Sequence, residues 1–316
     1  MRIFVTGASG WIGTPLVQDL LGAGHQVVGL ARSDTSAAAL AAAGAESVRG
    51  TLDDLGLLRS AAADSDGVIH LAFKHDIAFT GPGNFEAASQ ADRLAVDALA
   101  EGLVGSDRPF VLASGTLGLK TGEPATERDM PSTTGPVGTR MSTARAVLDL
   151  ASRGVRSSVV RLPPTCHGDG DGGFMHMLVD FARQSGSAGY LGDGANRWPA
   201  VHHIDVAHLF RLAVEKAPAG SVLHGVAEEG VPIREVAEVI GRHLGVPALS
   251  VAPEQAAERF ASLAGFIGVD APVSSALTRE LLGWQPTRQG LLADLDEGHY
   301  FKDAEAHYFK KTDSKA

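Results

Sequence analysis

The sequence predicts an α/β fold: a doubly wound parallel sheet of the Rossmann type with a smaller C-terminal substrate-binding layer. Three observations carry this reading. Short apolar runs alternate with Ala-rich amphipathic stretches through the first half of the 316 residues, and strands that alternate regularly with helices imply right-handed crossovers and a sheet covered on both faces. The first apolar run, Ile3-Phe4-Val5, leads directly into Gly7-x-x-Gly10-x-x-Gly13. After Leu162 the alternation loosens into Pro163-Pro164 and Gly168-Asp169-Gly170-Asp171-Gly172-Gly173, which read as loop.

Taken in order, the predicted strands of the first half are 3–5, 27–30, 67–71, 110–113 and 158–162, with helices at 11–23, 35–43, 85–105 and 140–153 between them. Helical spacing returns at 174–184, 204–216, 232–244 and 274–283, with a strand at 221–224. The expected division is a dinucleotide-binding domain over 1–165, rejoined by 201–225, a substrate-binding region over 166–200 and 226–300, and a frayed polar tail over 301–316. No repeat or low-complexity tract is visible.

Composition narrows the function classes. With 37 acidic and 27 basic residues the formal charge is −10, which argues against nucleic acid and anionic membranes as partners. No apolar run approaches the roughly 20 residues of a membrane span, and Ile3–Val5 is too short for a signal-peptide core. Cys166 is the only cysteine; an internal disulfide is therefore impossible, and the expected compartment is the cytoplasm.

The glycine pattern lies between a strand and an amphipathic helix, the context that gives it meaning. Gly7 allows the tight turn, Gly10 lets backbone N–H groups approach a pyrophosphate, and Gly13 lets helix pack on strand. Gly7, Ser9, Gly10, Trp11, Ile12 and Gly13 are therefore candidate cofactor contacts. Cofactor choice is set at the end of the second strand, in Gly29-Leu30-Ala31-Arg32-Ser33-Asp34. Arg32 can fork onto phosphate oxygens while the Ser33 hydroxyl donates, which puts NADP ahead; Asp34 keeps NAD open.

Val5-Thr6-Gly7-Ala8-Ser9-Gly10-Trp11-Ile12-Gly13, Val68-Ile69-His70-Leu71-Ala72, Ala113-Ser114-Gly115, Val160-Arg161-Leu162-Pro163-Pro164, the 197–207 segment and Leu281-Leu282-Gly283-Trp284-Gln285-Pro286 together resemble the extended short-chain dehydrogenase/reductase family, in its NAD-dependent epimerase/dehydratase branch. The resemblance covers nearly the whole chain. It implies that Leu71, Ala72 and Phe73 line the cofactor ribose, that Pro163, Pro164 and Thr165 lie by the nicotinamide, and that Ser114 is the active-site serine. It also implies a Tyr-x-x-x-Lys pair on the next helix. The three tyrosines, Tyr190, Tyr300 and Tyr308, lack a lysine four residues on, so the chain looks like the atypical members that keep the loop and lose the tetrad. Counting back from Arg153-Gly154-Val155-Arg156 puts Pro136 near the tyrosine position and Arg140 near the lysine position; Asp92 stands near the family's asparagine.

A carbonyl reduction needs some group to steady and protonate an alkoxide, so titratable residues at strand ends come under scrutiny. Lys74-His75-Asp76 and Cys166-His167 qualify, with His202-His203 a third cluster. Ser114, Arg140 and His167 are the catalytic candidates; Lys74, His75 and Thr116 are expected to line the substrate site. Metal binding is not expected, since no His-x-x-x-His pair or calcium-type loop is present, and Asp169-Gly170-Asp171-Gly172 reads as a flexible turn. Trp198 and Trp284 read as packing residues.

Three functions compete. The first is an NADP-dependent oxidoreductase acting on a small carbonyl or alcohol; the second is an epimerase or dehydratase working through transient oxidation. The third is a redox sensor that binds NADP without turnover. The only partner expected is a small-molecule substrate, with the chain a monomer or a homodimer.

Overall fold

The computed structural model describes residues 1–78, 83–135 and 137–302. Pro136 and the 303–316 tail, including Tyr308, lie outside the described residues.

The first half is wound as strand and helix in turn: β1 (Arg2–Thr6), α1 (Gly13–Gly22), β2 (Gln26–Ala31), α2 (Asp34–Ala43), β3 (Glu46–Arg49), α3 (Leu55–Ala63) and β4 (Gly67–His70). The short α4 (His75–Ala78) and long α5 (Asn84–Glu101) lead to β5 (Pro109–Gly115), then α6 (Gly138–Asp149) and β6 (Arg156–Leu162). The C-terminal half supplies β7 (Thr165–His167), α7 (Phe174–Ser185), β8 (Ala188–Leu191), β9 (Arg197–His202), α8 (His203–Lys216), β10 (Ser221–His224) and β11 (Glu228–Pro232). It closes with α9 (Ile233–Leu244), β12 (Ala248–Val251), α10 (Ala256–Phe260), α11 (Ala276–Leu282) and α12 (Leu291–Asp296).

Seven strands form one sheet in the order β10-β6-β5-β4-β1-β2-β3, with every described pairing parallel. The predicted doubly wound fold is therefore present. One face packs Ile3, Val5 and Val160 under Leu16 and Leu20 of α1 and Val206 and Phe210 of α8. The other packs Phe4, Val68 and Phe110 under Leu58 of α3, Leu99 of α5 and Val147 of α6. Burial on both faces explains why β1, β4 and β5 read as unbroken apolar runs.

The sequence reading passed over β3, whose residues are mostly exposed because it is the edge strand; it has no apolar run to find. It also treated 165–202 as loop followed by one helix, whereas β7, β8 and β9 lie there. These strands belong to two small sheets, β11-β9-β7 and β12-β8, which cover a second core around Met175, Trp198, Val236, Ile240 and Phe260.

The 169–172 turn needs correcting. Rather than hanging free, Asp171 is buried, accepts the Tyr300 hydroxyl at 2.9 Å and accepts the Gly173 N–H at 2.6 Å. Among the described residues, no helix is long and apolar enough to cross a membrane.

Candidate active site

The site lies along the carboxyl ends of β1, β2, β4 and β5, where an open parallel sheet presents loops and helix N-termini. Its first part is shaped by backbone. Gly7 has φ +70°, and a Cβ there would come within 2.9 Å of the Ala72 nitrogen. A Cβ on Gly13 would run into the Gly7 carbonyl oxygen, which accepts the Gly10 N–H at 3.0 Å. α1 starts with no side-chain cap and no acidic residue in its first turn, so its N-terminal N–H groups face no competing anion. Ser9 lies exposed on the loop, and Ile12 is partly buried. Trp11 stacks on His203 with ring centroids 4.0 Å apart, its buried indole N–H without a hydrogen-bond partner among the described residues.

Beyond β2, the side chain of Arg32 is 70% exposed and pairs with Asp76 at 3.1 Å. Asp34 pairs with Arg49 at 3.1 Å, which turns its carboxylate toward the β3 edge. The Ser33 hydroxyl accepts the Ser36 N–H and caps α2, a duty the sequence reading did not anticipate. Lys74 pairs with Asp53 at 2.7 Å. Thus Arg32 and Lys74, from the ends of two different strands, each hold a carboxylate across the loops.

The second part is shaped by side chains and runs inward from β1. Thr6 Oγ1 lies 2.7 Å from His70 Nδ1 and accepts the Ala72 N–H at 3.2 Å. His70 Nε2 lies 3.2 Å from Asp92 Oδ1, and Asp92 Oδ2 lies 3.4 Å from Arg140 Nη1. Arg140 also donates to the Ala113 carbonyl at 3.1 Å, with its guanidinium 4.0 Å over the Phe73 ring. The edge of His75 meets that same ring at 5.1 Å. The sequence reading singled out Asp92, Arg140, Phe73 and His75; it missed Thr6 and His70 as polar members, because both sit inside strands that otherwise read as apolar.

Electrostatics follow from this burial. Burial pulls the Arg140 guanidinium below its ordinary range, and the Asp92 charge works against that pull. Burial opposes ionisation of Asp92, but Arg140 and the hydrogen bond from His70 leave its carboxyl lowered. His75 is pulled down to about 4, first by burial and then by the Arg140 charge, so its imidazole is neutral at pH 7. Ser114, at the end of β5 and one residue beyond the carbonyl that Arg140 holds, is 4% exposed, and its hydroxyl has no hydrogen-bond partner among the described residues. Thr116 is buried nearby and donates its N–H to Leu162.

Other sequence-predicted residues fall elsewhere. Leu71, Ala72 and Phe73 are partly buried after β4, and Pro163 is buried after β6. Thr165 donates its hydroxyl to the Pro199 carbonyl, tying β7 to β9. His167 is fully buried with Nδ1 3.0 Å from Asp294 Oδ2, next to His202 at 5.4 Å between ring centroids. It therefore belongs to a second network, on the C-terminal layer, whose partners lie too far apart along the chain for any spacing to reveal.

Comparison with known proteins fits this geometry. Residues 3–224 match the profile of the NAD dependent epimerase/dehydratase family. The chain is 47% identical over 305 residues to "Uncharacterized protein C2A9.02" of Schizosaccharomyces pombe, covering 95% of this chain and 100% of that one. It is 27% identical to the 2-alkyl-3-oxoalkanoate reductase of Stenotrophomonas maltophilia, covering 78% of this chain and 77% of that one. Among solved structures, MoeE5 in complex with UDP-glucose and NAD superposes with a TM-score of 0.71 at 23% identity, covering 93% of this chain and 96% of MoeE5.

Proposed function

The chain belongs to the NAD-dependent epimerase/dehydratase family, and from that premise we propose that it is an NADP-dependent oxidoreductase acting on a small carbonyl or alcohol. The observation that carries this reading is the Ser114 hydroxyl, buried without a partner among the described residues and one residue beyond the Ala113 carbonyl that, with Asp92, holds the Arg140 guanidinium. A buried donor left unmade costs about 1–3 kcal/mol, so such a group is retained where a ligand completes it. The 2-alkyl-3-oxoalkanoate reductase relative supports reductive chemistry on an oxo group.

The residues present fit a dinucleotide. The glycine loop is wound so tightly that a Cβ at Gly7 would meet the Ala72 backbone and one at Gly13 the Gly7 carbonyl oxygen, the close turn that brings Ser9, Gly10, Trp11, Ile12 and the start of α1 to a pyrophosphate. Leu71, Ala72 and Phe73 would flank a ribose, Pro163 and Thr165 the nicotinamide end, and Arg32 a 2′-phosphate. We assign residues 1–165, with 201–225, to this work, and 166–200 with 226–300 to the substrate. When bound, the nicotinamide supplies or accepts the hydride. Ser114 donates a hydrogen bond that orients the substrate oxygen, and the proton that completes the alcohol comes from solvent that enters with the substrate. Arg140, fixed by Asp92, offsets the negative charge developing there. His75 stays neutral and does not add a second cation.

The missing Tyr-x-x-x-Lys pair is the specific observation that favours an alternative, a sensor that binds NADP without turnover. The deciding experiment measures NADPH binding by fluorescence and NADPH oxidation over a carbonyl panel, in wild type and Ser114→Ala. Under the reductase reading the variant binds NADPH within a few-fold of wild type and loses about 100-fold in turnover. Tight binding with no oxidation of any carbonyl by wild type would establish the sensor instead.

A further inference from the structure

The C-terminal layer carries a second cluster of chemistry-bearing side chains that takes no part in the scheme above. α12 ends at Asp296, and Gly298, with φ +82°, reverses the chain so that the turn carrying His299 folds back on the helix end. One ligand atom from each of Asp294, Glu297 and His299 then lies within 4.8 Å of the others. Asp294 is buried and Glu297 is exposed, so the group opens to solvent on one side.

The His299 side chain is 7% exposed, yet its buried Nε2 has no hydrogen-bond partner among the described residues. His299 Nε2 lies 3.6 Å from Asp294 Oδ2. That is too long for a hydrogen bond. It suits two ligands of one tetrahedral ion, which stand about 3.4 Å apart when each bond is about 2.1 Å. Asp294 is prepared for such a role: Oδ1 accepts from Gln289 at 3.1 Å, and Oδ2 accepts from His167 at 3.0 Å, leaving one lone pair on Oδ2. Hydrogen bonds of this kind fix and orient a ligating carboxylate.

We propose that Asp294, Glu297 and His299 form a site for a divalent cation of the zinc class, with a fourth position open to water. One imidazole and two carboxylates suit zinc or cobalt better than calcium or magnesium, which favour all-oxygen shells of six or more ligands. The ion staples the turn bearing His299 and Tyr300 to α12, and so secures the Tyr300–Asp171 contact. This Asp-x-x-Glu-x-His segment has neither a His-x-x-x-His nor a calcium-type spacing, which is why it does not stand out in the sequence.

The test uses the full chain without an affinity tag. Titration with Zn²⁺ followed by calorimetry is expected to give one site per chain, and substitution with Co²⁺ the visible absorption of a tetrahedral complex. Affinity falls at least tenfold in His299→Ala and in Glu297→Gln, the latter an exposed change that leaves packing intact. It is unchanged in His208→Ala, a histidine on α8 paired with Asp19. Zn²⁺ raises the melting temperature of wild type and not of His299→Ala. Binding well below one ion per chain, equal affinity in His299→Ala and wild type, or equal loss in the His208 control would overturn the site.

Discussion

Two buried histidine–aspartate pairs can be set side by side. His70 and Asp92 lie 3.2 Å apart under the sheet ends; His167 and Asp294 lie 3.0 Å apart in the C-terminal layer. All four side chains are at most 2% exposed, and the chemistry of the two pairs is nearly the same. Their destinations differ. Asp92 goes on to Arg140, whose guanidinium covers Phe73 and holds the Ala113 carbonyl, one residue before Ser114. Asp294 goes on to Gln289 and the chain end, in the same layer where Tyr300 clasps Asp171. A buried ion pair is weak evidence for stability and does not declare its purpose. What it holds in place does, and here the first holds a cation at the proposed site while the second holds down a terminal segment.

The largest effect is expected where the first pair is cut. Asp92→Ala leaves Arg140 buried and uncompensated, a change worth about 3–5 kcal/mol, and it frees the guanidinium from its place by Ser114. Urea denaturation should show that loss, and residual folded protein should have little turnover. Asp294→Asn should also lower stability, yet leave kcat/KM of the folded protein and its NADPH affinity within a few-fold of wild type. If Asp294→Asn abolished turnover in well-folded protein, the two networks would not be separate in purpose.

pH sharpens the contrast because the two regions titrate in opposite senses. His75 has its folded pKa lowered to about 4 by burial and then Arg140, against an ordinary 6.5. Between those values the unfolded chain binds more protons, so His75's contribution is complete above the upper value and is lost as pH falls toward the lower. Asp171 has its pKa raised to about 6 by burial, from an ordinary 3.8. There the native state holds more protons, so its contribution is fullest at low pH and declines as pH rises through that window. Urea midpoints between pH 4 and 7 should therefore change slope in opposite directions in His75→Gln and Asp171→Asn. Slopes shifting the same way would mean that one of the two environments is wrongly assigned.

Tyr300→Phe is a smaller cut in the second network. It removes the hydroxyl that donates to Asp171 at 2.9 Å and accepts the Gly168 N–H at 3.3 Å. The expected cost is about 1–3 kcal/mol, with NADPH affinity unchanged. A loss of NADPH affinity without loss of stability would tie this layer to the cofactor and blur the distinction.

The unequal legibility of the two networks has a physical cause. The glycine loop was readable because backbone geometry demands a residue type: Gly13 has no room for a Cβ against Gly7, and that demand prints itself as a spacing. Arg140 and Asp92 could be located only by counting along a resembling pattern, and their partner His70 stayed hidden because it closes a buried strand. The His167–Asp294 contact spans 127 positions and obeys no period, so periodicity could not reveal it. Ser33 shows the converse: its hydroxyl was readable as a donor, but a helix start claims it first as a cap.

The smallest expected effect on stability belongs to the Arg32–Asp76 pair, and it bears on the cofactor side alone. The Arg32 side chain is 70% exposed, and exposed pairs contribute about 0–1 kcal/mol, so Arg32→Ala and Asp76→Ala should both melt close to wild type. Binding should separate them. If Arg32 holds a 2′-phosphate as proposed, its loss should lower NADPH affinity by about 10- to 100-fold, the scale of a charge-assisted contact worth about 1.5–3 kcal/mol, while NADH affinity stays put. Losing Asp76 frees the guanidinium from a competing carboxylate, so NADPH should bind more tightly and NADH as before. Both responses should shrink at high salt, as exposed charges are screened. NADPH and NADH affinities that moved together in both variants would show that Arg32 does not choose the cofactor, and would leave NAD, which Asp34 kept open, as the better assignment.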